Sequence, residues 1–100
     1  MSLSFFELEA SDIRLVILRC MAEDAGYALN ESILQSMLEI FGHRLSRDRV
    51  RTELRWLEEQ RLVTIESVAG VLVAKLSGRG LDCSEGRCRV DGVKRPRPKG

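Results

Sequence analysis

The sequence predicts a mainly α-helical fold with a small β-hairpin: a three-helix core, the hairpin and a short C-terminal helix. Two patterns predict it. Apolar residues recur at helical spacing over about 11–23, 31–41 and 50–57. The period then drops to about two in Leu62–Glu66 and Val71–Leu76, two runs rich in β-branched residues. A chain of 100 residues with 44% hydrophobic side chains can bury one modest core, so one domain is expected over residues 1–86. Residues 87–100 hold six basic residues, one acid and two prolines, and read as a basic, flexible tail.

Each element has a local reason. Ser4-Phe-Phe-Glu7 has the spacing of a capping box, from which a short helical turn can start. A stronger first helix is expected over Ser11–Glu23, with Ile13, Val16, Ile17, Cys20 and Met21 on one face and Asp24-Ala-Gly26 ending it. Asn30 caps a second helix over Glu31–Phe41, and Gly42 supplies the backbone freedom that its C-terminus needs. Ser46 caps a third helix over about 46–60, with Asp48 in the first turn suiting the helix dipole and Val50, Leu54 and Leu57 forming the buried seam. The two strands are joined by Ser67-Val-Ala-Gly70. Ser77 caps a weak last helix over 78–86, where Gly78, Gly80 and Gly86 each cost about 1 kcal/mol relative to alanine.

Helix, glycine turn, capped helix and hairpin form the order of a winged helix-turn-helix, whose second helix of the pair commonly enters a DNA major groove. The run Ser46-x3-Val50-x3-Leu54-x2-Leu57-x4-Leu62-Val63, with Leu76-Ser77-x2-Gly80 after the hairpin, resembles the winged-helix regulators of the ArsR and MarR type over residues 11–82. More narrowly, Arg14-Leu-Val-Ile-Leu18, Tyr27-Ala-Leu-Asn30, Ser46-Arg-Asp-Arg-Val50, Trp56-Leu57 and Gly92-Val-Lys-Arg-Pro96 resemble a family of small winged-helix proteins of Mu-like bacteriophages and prophages. The resemblance implies a DNA-binding transcriptional regulator of phage or bacterial origin, a role that fold alone does not establish. It also implies a two-fold dimer through the first and last helices, with Phe5, Phe6, Leu8 and Leu81 as the contact candidates and a monomer as the alternative.

Charge is polarised along the chain. Residues 1–40 carry two arginines against seven acids, and residues 41–100 carry fourteen basic residues against eight acids. Such a chain can turn one face to a polyanion, or its halves can attract each other within a monomer or across a dimer. The expected partner is double-stranded DNA. Arg47, Arg49, Arg51, Thr52 and Arg55 form the groove-facing set, with Ser46 at the helix start and Arg44 in the preceding turn. Lys94, Arg95 and Arg97 in the tail would add salt-dependent phosphate contacts. The alternative is a protein-interaction module in phage assembly or host takeover, in which the arginines meet acidic side chains. Pairing of Arg49 with Glu53, Arg55 with Glu59 and Asp48 with Arg51 would make this face a solvated surface.

Two features depart from the regulator pattern. Arg61 stands where a glycine usually precedes the Leu-Val pair, so the chain there either turns without positive φ or accepts strain. The hairpin tip has no Lys or Arg. Trp56 is expected to pack against the hairpin or the first helix, and His43 to lie exposed in its turn. Three cysteines, Cys20, Cys83 and Cys88, make no disulfide framework and no metal-ligand cluster, and with no signal-like start the expected location is cytoplasmic. No acid-base pair or phosphate loop can be assigned, so neither an enzyme nor a cofactor is expected. No apolar run approaches the length needed to span a bilayer.

Overall fold

In the computed structural model, which describes residues 4–97, the chain enters its first helix through the expected capping box. The Ser4 hydroxyl accepts the Glu7 amide at 3.1 Å, and the Glu7 carboxylate accepts the Ser4 amide at 3.4 Å. This helix, α1 (Phe5–Glu23), continues without the break expected before Ser11. No glycine or proline interrupts it, and the Ser11 hydroxyl stays within the helix by donating to the Leu8 carbonyl at 2.9 Å. Its buried residues, Ala10, Ile13, Leu15, Ile17, Leu18, Cys20 and Met21, surround most of its circumference, as suits a helix packed on several sides.

The Asp24 carboxylate accepts the Gly26 and Ala28 amides at 2.9 and 3.2 Å and turns the chain into β1 (Ala28–Asn30). This strand is absent from the sequence-based expectation, being too short to show a period. Then follow α2 (Glu31–Ile40), α3 (Arg47–Glu59), β2 (Val63–Val68), β3 (Val71–Leu76) and α4 (Gly78–Ser84). The sheet is antiparallel in the order β1-β3-β2, with Ala28 opposite Lys75, Asn30 opposite Val73, and Val63 opposite Leu76. Among the described residues the protein is therefore a mixed α/β structure of four helices and three strands, in which the expected hairpin has gained a third strand. The hairpin is also tighter than expected. Pairing runs to Val68 and Val71, and only Ala69 and Gly70 turn, both at positive φ (52° and 80°), as in a type I′ turn.

One core joins Ile13, Ile17, Leu18 and Met21 of α1, Leu34 and Leu38 of α2, and Val50, Leu54 and Leu57 of α3 to Leu62, Ala74, Leu76, Cys83 and Val90. Val90 belongs to the stretch expected to be a flexible tail. Up to Lys94 that stretch instead lies along α1. The Lys94 amide donates to the Ser11 carbonyl at 3.1 Å, and Val93 packs on the core. Gly92 sits so close to Trp56 that an added Cβ would come within 2.7 Å of the indole. Gly80 in α4 has a similar reason to be glycine, since a Cβ there would lie 2.0 Å from the Leu62 carbonyl oxygen. The last three residues of the basic stretch, 98–100, lie outside the described residues. No helix among the described residues is long and apolar enough to cross a membrane.

Two helices end alike with different residues. After α2 the Gly42 amide donates to the Glu39 carbonyl and the His43 amide to that of Leu38, with Gly42 at φ +94°. After α3 the Arg61 amide donates to Glu58 and the Leu62 amide to Leu57, with Arg61 at φ +62°. Both are Schellman motifs, so Arg61 accepts strain at a glycine position. Left-handed backbone costs a side-chain-bearing residue about 1–2 kcal/mol, partly offset in a glycine variant by a more flexible unfolded chain. Arg61→Gly is therefore expected to raise the unfolding free energy by about 0.5–1 kcal/mol in urea titration.

Candidate nucleic-acid interface

The site is built around an acid that lies under the hairpin. Glu31 follows Asn30, the last residue of β1 and the N-cap of α2, whose side chain accepts the Ile33 amide at 2.8 Å. A cap at that point directs Glu31 inward, where its side chain has no exposed surface. Its carboxylate accepts Arg51 Nε at 2.6 Å on Oε1, Arg51 Nη2 at 2.9 Å on Oε2 and the Leu72 amide at 2.6 Å on Oε2. Arg47 Nη1 stands 3.9 Å away. Arg51 Nη2 also donates to the Gly70 carbonyl at 2.9 Å, so one guanidinium ties α3 to α2 and to the hairpin turn.

A second ionic group lies at the junction of α1 and α3. Glu53, almost fully buried, accepts Arg14 Nε and Arg49 Nε, each at 2.8 Å. The Arg14 guanidinium stacks on Trp56 at 3.8 Å from the ring centroid and donates to the Gly92 carbonyl at 3.0 Å, which settles Trp56 against the first helix. Arg49 lies over the Phe6 ring at 4.9 Å, with its Nη2 buried and unpaired. His43 is mostly buried rather than free in its turn. Its Nε2 meets Asp12 Oδ2 at 2.6 Å, because the turn between α2 and α3 folds against α1.

Of the expected groove-facing residues, Arg47, Arg51 and Arg55 share one flank of α3, whereas Arg49 turns to the α1 side with Glu53 and Phe6, and all are less free than the sequence suggests. Arg47 and Arg51 remain 43% and 44% exposed, and Arg55 53%. Arg47 Nε donates to Gln35 Oε1 at 2.9 Å. The expected Arg49–Glu53 pair forms, Arg55 pairs with Glu58 rather than Glu59, and Arg51 turns to Glu31 rather than Asp48. Ser46 caps α3 by accepting the Arg49 amide at 3.1 Å, and the Thr52 hydroxyl donates to the Asp48 carbonyl at 3.0 Å. Arg44, in the preceding turn, is the most exposed of the set and meets Glu39 at 3.1 Å. Lys94 lies 3.3 Å from Asp12, away from this flank, while Arg95 and Arg97 are exposed beyond it. Of the dimerisation candidates, Phe5, Phe6 and Leu8 are exposed at the start of α1, but Leu81 packs partly into the core.

No family model matches the chain. Among curated proteins it is 52% identical to "Uncharacterized protein gp26" of Escherichia phage Mu over 93 residues, which cover 93% of this chain and 96% of that protein. The chain belongs to the family of phage Mu gp26. It is also 49% identical over 98 residues to a protein of Haemophilus influenzae, covering 97% and 95% of the two chains.

Two carboxylates of this gp26-family protein are held below their ordinary range. For Glu31 the Arg51 hydrogen bonds dominate, burial opposes them and the Leu72 amide adds to them. For Asp12 burial acts upward but is outweighed by His43 and Lys94. A carboxylate with a depressed native pKa contributes stability that is complete above its unfolded value and is lost as pH falls through the native one. Breaking a buried ion pair costs about 3–5 kcal/mol, and less when one partner is half-exposed as Arg51 is. Glu31→Gln is expected to lower stability by about 2 kcal/mol at pH 7. That gap should narrow in denaturant titrations as pH falls below the usual glutamate value of 4.5.

Proposed function

We propose that this gp26-family protein is a winged-helix binder of duplex DNA, with α3 as the groove-facing helix and the β2–β3 hairpin as its wing. The observation that carries this reading is the row Arg47, Arg51 and Arg55. These residues recur at i, i+4 and i+8 on one exposed flank of α3, span about 12 Å, and are joined to the hairpin turn through the Arg51–Gly70 contact. Guanidinium groups spaced along a helix that ends beside a hairpin suit a phosphate backbone. Arg44 before the helix extends the positive surface, whereas Arg95 and Arg97 lie towards α1 and α4 and would reach DNA only from another side. The role in transcriptional regulation of a phage or bacterium comes from the sequence resemblance, and a homodimer through the exposed start of α1 would double the contacts.

A second reading has its own observation. Phe5 is 80% exposed, and Phe6 and Leu8 border an open groove of about 850 Å³ between α1 and residues 86–96. Through these residues the same fold would dock on a phage or host protein, with the arginines serving only its internal ion pairs.

Fluorescence anisotropy with a labelled duplex separates the two readings. The DNA reading expects binding that weakens steeply with salt. For Arg47→Ala/Arg55→Ala it expects at least about a tenfold loss and a salt slope lower by roughly two charges. Two protomers per duplex would fit the dimer. Absence of salt-dependent binding would favour the protein partner.

A further inference from the structure

We infer that α3 engages duplex DNA through phosphate contacts alone, without selecting base sequence; this rests on the DNA-binding reading above. An arginine reads guanine by presenting two adjacent N–H groups to O6 and N7 in one plane. In the N-terminal half of α3, the part of such a helix that reaches base edges, each arginine has already committed its Nε, one arm of the Nε–Nη2 fork, to another residue. Arg51 uses Nε and Nη2 on Glu31 and the second Nη2 hydrogen on Gly70, which leaves only Nη1. Arg47 uses Nε on Gln35, and its Nη1 stands 3.9 Å from the buried Glu31 carboxylate, whose charge holds the guanidinium near it without a hydrogen bond. Arg49 uses Nε on Glu53 and has its Nη2 buried. The hydroxyls are engaged too, Ser46 by capping the helix and Thr52 by donating to Asp48.

The N–H groups left over suit phosphate oxygens, which accept donors from many directions and do not require two of them fixed in one plane. Arg44 and Arg55 hold exposed pairs that water and phosphate can exchange, but they lie outside that half of the helix, one before the cap and one in the third turn. Releasing Arg51 to read a base would strip a buried carboxylate of its counterion. The exposed hairpin turn, Ala69 and Gly70, offers no side chain able to read the minor groove. The ligand is therefore any duplex of sufficient length, recognised by charge and shape.

The test is selection from a pool of duplexes with randomised central positions, using the full chain at low salt and sequencing the bound fraction. The expected result is retention of the pool with no base at any position enriched more than about twofold. A consensus with guanine at fixed positions enriched tenfold or more would overturn the inference while leaving DNA binding intact. Failure to retain the pool at any salt concentration would overturn the DNA reading and the inference with it. Arg47→Lys supplies a second readout. Lysine keeps the charge but has no fork, so affinity should stay within about threefold, whereas a loss of tenfold or more would reveal a forked contact.

Discussion

The structure depends on the hydrogen bonding of one buried carboxylate. β1 ends at Asn30, opposite Val73 of β3, and the next residue of β3, Leu72, has its amide facing where β1 would have continued. Glu31, the first residue after the strand, supplies the missing acceptor from its side chain. The negative charge thus placed under the hairpin needs a counterion, and Arg51 of α3 provides it with two hydrogen bonds. Strand end, helix start, hairpin and α3 are fixed together because an unmatched amide and an unmatched carboxylate would each be expensive to bury.

This arrangement limits what α3 can do. An arginine fork on guanine is worth about 1–3 kcal/mol of discrimination, which leaving Glu31 would offset with a loss of about 2 kcal/mol and of the Gly70 contact besides. Arg51 is therefore better satisfied on Glu31 than on a base. The same holds for Arg49, which shares Glu53 with Arg14 beneath the Phe6 ring. The arginines of α3, matched in number by its acids, are mainly the fasteners of its own fold, and the surface left for a partner is a row of half-exposed guanidinium groups beside a neutral hairpin.

Much of this fold was legible in the sequence, because caps and periodicities are local signals. Ser4, Asn30, Ser46 and Ser77 all cap helices as their spacing suggests. What escaped was long-range. β1 is three residues long and its last residue also reads as a cap. The packing of residues 87–94 rests on Val90 and Val93 within a stretch dominated by basic residues. His43 and Asp12 meet across 31 positions, and Glu31 and Arg51 across 20. One clue to the second pair was available. Arg47 and Arg51 are like charges at i, i+4, an unfavourable spacing unless an acid from another element stands between them. In Glu31 the helix-dipole preference for an acid in the first turn concealed a buried ion-pair partner.

The most direct measurement is a ¹⁵N-¹H correlation spectrum of the labelled protein, free and saturated with duplex, recording the backbone amides of residues 46–52 together with the Arg51 Nε–Hε signal. Binding through α3 with Arg51 retained on Glu31 gives shifts in those amides while the Arg51 Nε–Hε signal stays in place and remains slow to exchange with solvent. A large displacement or loss of that signal on binding would show that Arg51 leaves Glu31 for the DNA, and unmoved amides in residues 46–52 would show that α3 is not the contacting surface.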